Sequence, residues 1–252
     1  MFTRAIAREP GADPAAGITT AGLGAPDHAL MLEQHRLYVD TLRGLGVEVE
    51  VLDPLPGFPD AHFVEDVAVV LPDLAVIATP GAPARRGEED AIAPVLARLM
   101  RTVRIRPPGT LDGGDVLRAG THFFVGISSR TNEAGAQQLG LILEEQGYSW
   151  TPIPVRKGLH LKSSVSYVSR STLLVTREFA ASVELAGYSL IVLAEGEEYA
   201  ANSLLVNGTL LLPAGFPDAA DKLKAFGATL ALLDMSEARK MDGGLSCLSL
   251  RF

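Results

Sequence analysis

The sequence predicts an α/β protein built as a five-bladed α/β propeller, a ring of strand, strand, helix, strand units around a central channel. Three observations carry this. Strand-like runs come in adjacent pairs joined by tight turns, a helical stretch follows most pairs, and the unit recurs at a nearly fixed interval. Measured between the polar residues that open each unit, the steps are 46 from Thr20 to Asp66, 46 to Asp112, 48 to His160, 42 to Asn202 and 45 to Cys247. Five such units would close into a ring with no exposed sheet edges, and equivalent positions would meet at one axis. Asp66, Asp112, His160 and Cys247 would then converge although they are far apart in the chain. The competing architectures are an open α/β sandwich with coincidental spacing and a doubly wound nucleotide fold. Against the second, the strands come in pairs and no GxGxxG or GxxxxGK[ST] follows any of them.

Short apolar and β-branched runs predict strands at 47–52, 67–71, 74–79, 116–118, 122–127, 165–168, 173–176, 189–193, 204–206, 210–212 and 229–233. Ala119-Gly120-Thr121 and Asn207-Gly208 supply hairpin turns. Apolar residues recurring at three and four predict helices at 28–45, 88–100, 132–146, 178–186 and 217–226. Thr131-Asn132 and Asp218 offer helix-start chemistry, while Gly147 and Gly227 stand as stops.

With 252 residues and 47% hydrophobic content, the chain can bury a large core, and residues 1–252 are expected to form one domain. The net charge of -8, with acids and bases intermixed, argues against nucleic acid, which needs clustered Lys and Arg. Met1–Pro10 lacks the apolar stretch of a secretory signal, and no later run approaches the ~20 apolar residues of a membrane span. A cytoplasmic protein without a membrane partner is the expectation. One cysteine excludes an intrachain disulfide. Five histidines without HxxxH spacing, beside one cysteine, predict no bound metal.

The same cysteine is the first candidate for chemistry. Cys247 lies in MDGGLSCLSLRF, where Asp242-Gly243-Gly244 would let the backbone approach a ligand. A lone cysteine is otherwise a small buried hydrophobe, but with His and acid partners it reads as a nucleophile. His160 in GLHLKSS titrates near neutral pH and suits general acid and base work. Asp112 in LDGGDV would orient it and stabilise its charge, although Asp-Gly-Gly-Asp also serves as turn capping. Asp60, Glu65 and Asp66 precede a strongly apolar strand, either as solvated strand-end charges or as a cradle for a planar guanidinium. Arg85, Arg86 and Arg130, each an ordinary solvated residue when taken alone, could together clamp the carboxylate at the far end of an amino acid, with Phe63 along the alkyl chain between.

The ordered set FVEDVAVV, TPGAPARRGE, LDGGDV, SSRTNE, LHLKS, AANSLLVNG and MDGGLSCLSLRF resembles the dimethylarginine dimethylaminohydrolase family over nearly the whole chain. The resemblance implies the pentein fold, a five-bladed α/β propeller, and a cofactor-free amidine hydrolase acting on methylated arginine. It implies Cys247 as nucleophile, His160 as acid and base, and Asp112 as orienting acid, a position where the family carries Asp or Glu. It further implies that Asp60 and Asp66 hold the guanidinium with Glu65 in support, and that Arg85 and Arg130 take the α-carboxylate. The carbonyls of Ile18 and Met241 would receive the α-amino group. Ile18 stands where leucine is common, a change that a carbonyl contact tolerates. A homodimer is compatible with relatives of this length. Rival readings are an arginine deiminase or amidinotransferase sharing the triad, a cysteine peptidase, and a non-catalytic propeller that binds arginine-like ligands.

Overall fold

A computed structural model describes residues 1–252. It contains five separate three-stranded sheets, and all five are wired alike. In each, the first strand pairs antiparallel with the second, and the second pairs parallel with the third. The blades are β3 (Ala68–Val70), β4 (Leu74–Ile77) and β5 (Arg101–Arg104); β6 (Val116–Ala119), β7 (His122–Ile127) and β8 (Ser149–Pro154); β9 (Val165–Ser169), β10 (Thr172–Val175) and β11 (Ser189–Val192); and β12 (Leu204–Val206), β13 (Thr209–Pro213) and β14 (Thr229–Leu233). The fifth blade joins the two ends of the chain. There β15 (Ser249–Arg251) pairs antiparallel with β1 (Arg4–Arg8), which runs parallel to β2 (Glu48–Leu52). Cys247 therefore opens the last blade, and Thr20, counted as an opener from its spacing, lies in an exposed loop where it bonds Asp242.

The middle strand of each blade is apolar on both faces because each face packs against a different neighbour. Leu74 and Val76 enter one core while Ala75 and Ile77 enter the next. Leu174 likewise parts from Leu173 and Val175, and Leu211 from Leu210 and Leu212. Five interblade cores result, and this explains why the strands read as unbroken apolar runs. The ring does not abolish sheet edges, contrary to expectation. The outer strands β2, β5, β8, β11 and β14 keep one unpaired edge each and are largely half-buried or exposed. Sheets arranged radially cannot bond to one another at the rim.

Crossover helices α1 (His28–Gly44), α2 (Glu88–Ala97), α3 (Glu133–Glu145) and α4 (Pro217–Phe226) cover four blades. Asp27 caps α1 by accepting from the Leu30 N–H at 3.1 Å, and Asn132 caps α3 by accepting from Gly135 at 2.8 Å. For α4 the cap comes from afar: Glu197 accepts from the N–H groups of Asp218 and Ala219. The helix expected at 178–186 is instead two 3₁₀ turns, Arg177–Phe179 and Val183–Leu185. Each turn keeps one buried anchor, Phe179 in the first and Leu185 in the second. A short fifth helix, α5 (Ser236–Lys240), precedes the Cys247 loop. No helix is long and apolar enough to cross a membrane.

A 3₁₀ turn precedes the first strand of every blade: Val64–Val67, Gly113–Asp115, Leu161–Ser163, Glu198–Ala201 and Leu245–Leu248. Four contacts link them in series, from Leu245–Leu248 to Val64–Val67, Gly113–Asp115, Leu161–Ser163 and Glu198–Ala201. The unit openers of the sequence sit in or beside these turns, so the repeat itself brings them to the axis.

Candidate active site

His160, just before its turn, is 4% exposed, and its Nε2 lies 3.0 Å from Asp112 Oδ2. Its Nδ1 lies 3.8 Å from Asp66 Oδ1. Burial works against the charged ring, but Asp66, Asp112 and Asp115 together outweigh it and push the pKa up to about 9. Asp112, wholly buried, is held in place by the Gly81 N–H on Oδ1 (2.9 Å), while its own N–H donates to Thr131 Oγ1 (3.1 Å). Asp115 accepts from the Leu161 N–H (2.9 Å) and from Ser128 Oγ (2.7 Å), tying the histidine's turn to the second blade. Gly114 lies between these groups and donates its N–H to Asp66 Oδ1 at 3.0 Å. A Cβ there would collide with the His160 ring and Asp66, so Asp-Gly-Gly-Asp is a close-approach segment as well as a turn.

Cys247 is buried in Leu245–Leu248. Burial, reinforced by the charges of Asp66 and Glu65, pushes its thiol up to about 12, so the resting protein pairs a neutral thiol with a protonated His160 at neutral pH. The Asn202 amide Nδ2 lies 3.7 Å from the sulfur. The glycines before Cys247 make room for two neighbouring side chains. A Cβ at Gly244 would strike the Asn202 amide, and Gly243 lies against the Phe63 ring.

Arg85 occupies an unexpected place. Its guanidinium is buried, with Nη1 on Asp66 Oδ2, Nε and Nη2 on Glu88, and Nη2 also on the carbonyls of Asp60 and Phe63 (3.2 Å each). It thus lies in the acidic cradle expected for a ligand's guanidinium and offers no free fork to a carboxylate. Arg86 points to solvent. Arg130 is mostly buried, with Nη1 3.8 Å from Asp112 Oδ2. Asp60 accepts from the Ile18 N–H at 3.1 Å, and its pKa is raised by burial. Phe63 is a core residue whose ring lies tilted at 45° against that of His62, their centroids 3.9 Å apart. Met241 is buried in the same core and Ile18 is half-buried above Asp60.

Glu65 receives Lys162 (2.7 Å) and Arg251 on Oε1, leaving Oε2 buried and unpartnered. Lys162 follows His160 by two residues in GLHLKSS. Glu88 and Arg251 were not singled out; the only signal for Glu88 was its place one helical turn after Arg85. One O or N atom from each of Asp66, Asp112 and His160 lies within 4.8 Å of the others, the spacing of a metal site. The two carboxylates flank the imidazole and favour its protonated form.

No family model matches the chain. It is 41% identical to N(G),N(G)-dimethylarginine dimethylaminohydrolase of Pseudomonas aeruginosa, with 100% of both chains covered. The solved structure of a cysteine-to-serine mutant of the Pseudomonas aeruginosa enzyme complexed with citrulline matches at a TM-score of 0.98 and 40% identity, covering 100% of each chain. A dimethylarginine dimethylaminohydrolase with a histidine-to-glycine substitution, solved as an adduct with S-methyl-L-thiocitrulline, matches at 0.97 and 40% identity with the same coverage.

Proposed function

The chain belongs to the dimethylarginine dimethylaminohydrolase family, and we propose that it hydrolyses Nω-methylated arginine to citrulline and a methylamine, with Cys247 as nucleophile and no cofactor. The observation that carries the reading is geometric: His160 is held between Asp112 and Asp66, and the turn that carries Cys247 packs against the turn that carries Asp66.

In the resting pair the proton sits on His160 and the thiol is unreactive. A substrate guanidinium brought against Asp66 and Asp60 adds a positive charge next to the sulfur, which favours the thiolate, and the thiol proton leaves to solvent while His160 keeps its own. The thiolate attacks the guanidinium carbon, forming a C–S bond and a tetrahedral adduct. His160 gives its proton to the departing nitrogen, the C–N bond breaks, and an S-alkylthiouronium remains on Cys247. Neutral His160 then takes a proton from water, whose oxygen adds to the same carbon. Loss of the thiolate completes citrulline. Asp112 keeps the imidazole aligned and its charge compensated through both proton transfers.

Arg85 and Arg130 are assigned to the α-carboxylate, and for Arg85 this requires an exchange. The substrate guanidinium and Arg85 compete for Asp66, so entry of the first would release the second toward the far end of the substrate. Phe63 would flank the alkyl chain, Glu65 would support Asp66, and the carbonyls of Ile18 and Met241 would take the α-amino group. The whole of residues 1–252 would act as one catalytic unit in the cytoplasm.

The test is citrulline release from asymmetric dimethylarginine, monomethylarginine and arginine, by wild type beside Cys247→Ser. Turnover of the methylated substrates that vanishes in the variant supports the reading. Reaction of arginine alone would replace it with a deiminase, and full turnover by Cys247→Ser would remove the nucleophile.

A further inference from the structure

Asn202 opens the fourth blade as Asp66, Asp112 and His160 open the preceding three, and it follows the turn Glu198–Ala201 directly. It is 5% exposed. Its side chain makes two contacts, both to the Cys247 loop: Oδ1 accepts from the Ser246 N–H at 3.0 Å, and Nδ2 lies 3.7 Å from Cys247 Sγ. The first contact fixes the second. A backbone N–H can only donate, so the amide oxygen must face Ser246, and the amide N–H groups are left facing the sulfur.

The rest of the loop is built around this placement. Gly244 has no Cβ, and any Cβ there would occupy the position of the Asn202 amide. The Cys247 N–H is engaged with the Gly244 carbonyl at 3.1 Å, and the Gly244 backbone itself favours the charged form of the sulfur, so the turn and Asn202 act on it together. Tyr199, one turn earlier, hydrogen-bonds the Gly243 carbonyl at 2.8 Å and pins the approach to the loop. Around the sulfur, Asp66 and Glu65 are acids that oppose a negative charge, Lys162 is a base whose charge favours one, and Ser246 Oγ lies at 4.0 Å, the limit of a sulfur contact. Asn202 is the neutral donor aimed at Sγ. An N–H donated to the charged form favours that form, and it also fixes where the sulfur sits.

We propose that Asn202 is a further catalytic residue, whose amide N–H holds the Cys247 sulfur as a thiolate in the attacking position while its oxygen fixes the loop that carries it. This rests on the reading of Cys247 as nucleophile. During the reaction the donor would serve twice, on the thiolate before attack and on the thiolate expelled when citrulline is released. In between, the sulfur carries no charge and the contact weakens, so the interaction favours the charged states of the sulfur selectively.

The discriminating variant is Asn202→Asp. It retains an oxygen for the Ser246 N–H and therefore the loop, but it replaces the donor at the sulfur with an oxygen. Because Cys247 is the only cysteine, its alkylation by iodoacetamide in the intact protein reads the thiol without any turnover. Below the thiol pKa the rate follows the thiolate fraction. At pH 8 Asn202→Asp is expected to alkylate at least tenfold more slowly than wild type, and its kcat for dimethylarginine to fall at least tenfold with KM changed less than threefold. Asn202→Leu, lacking both contacts, should lose alkylation rate and also lower the melting temperature, whereas Asn202→Asp should melt near wild type. An Asn202→Asp protein that alkylates at the wild-type rate would reduce Asn202 to a loop brace and overturn the proposal. Should Cys247→Ser retain activity, the nucleophile assignment fails by a separate measurement, and the proposal falls with it even if alkylation slows.

Discussion

His160 at the axis and the His35–His62 pair beneath α1 are almost equally hidden, at 4%, 6% and 2% exposure. Their proton affinities nonetheless move in opposite directions. His160 is pushed up to about 9, while burial takes His35 down to about 4, and burial with the nearby charges of Arg85 and His35 takes His62 down to about 3. The difference lies in what faces each ring. Around His160 stand Asp66, Asp112 and Asp115. His35 and His62 face a small cavity lined by Pro10, Met31, Gln34, Met235, Ala238 and Leu248, with no acid among them. His62 Nδ1 lies 3.1 Å from the Pro59 carbonyl, which can only accept, so Nδ1 carries the proton. Its Nε2, like that of His35, is buried without a protein partner. Burial alone makes histidine a neutral core residue; burial among carboxylates makes it a charged acid ready to donate.

The largest test removes the carboxylate that touches His160. Asp112→Asn should cut kcat/KM by about 10²–10⁴-fold, the usual worth of a positioned acid–base group, and NMR titration should show the His160 pKa falling from its present value near 9. An unchanged titration would mean that Asp66 and Asp115 hold the proton without it.

The next concerns stability against pH. For His62 the folded pKa lies below the unfolded value of about 6.5, so the unfolded chain binds more protons between the two, and stability is lost as pH falls from about 6.5 toward 3. At pH 5 the loss from this group is about 2 kcal/mol. His62→Leu should abolish that part of the loss, read as a smaller drop in melting temperature between pH 7 and pH 5. For His160 the sign reverses. Its folded pKa exceeds the unfolded one, and its contribution is complete below about 6.5 and lost as pH rises toward 9.

A smaller effect should follow from importing an acid into the apolar site. Gln34 lines the cavity, and Gln34→Glu should raise the His35 and His62 pKa values by about one unit, worth roughly 1.4 kcal/mol, through charge proximity. If neither histidine responds in an NMR titration, the carboxylate explanation for His160 is weakened as well. The least effect is expected at His122, a half-buried ring on β7 lowered only by burial and bonded to Ser149 Oγ at 2.8 Å. His122→Gln should leave citrulline release unchanged and alter stability by no more than about 0.5 kcal/mol in a denaturant melt.

Much of the fold was legible because the middle strands carry the signal. β4, β7, β10 and β13 are apolar on both faces, and the polar residues that open the units recur at 42–48 residues. The strands that escaped notice, β1, β5, β8 and β15, are short or polar, and β8 contains Pro152 and Pro154. Prolines are tolerated there because an edge strand leaves some N–H positions unpaired. The closing of the ring by β15 and β1 was equally hidden, since pairing between the two chain ends has no periodic signature.

At the site the sequence supplied residue types and their spacing, which sufficed to gather Asp66, Asp112, His160 and the Cys247 turn at one axis. It could not say that Arg85 turns inward onto Asp66 and Glu88, that Arg251 and Lys162 share one oxygen of Glu65, or that the two glycines before Cys247 make room for Phe63 and Asn202. Those partnerships depend on side-chain direction and on which charges a common burial leaves facing one another. What the sequence by itself determined is the repeat, because hydrophobic periodicity is a local property of the chain. What only the tertiary structure decided is which buried charge answers which, because that is settled by distances of a few ångströms between residues from 3 to 186 positions apart.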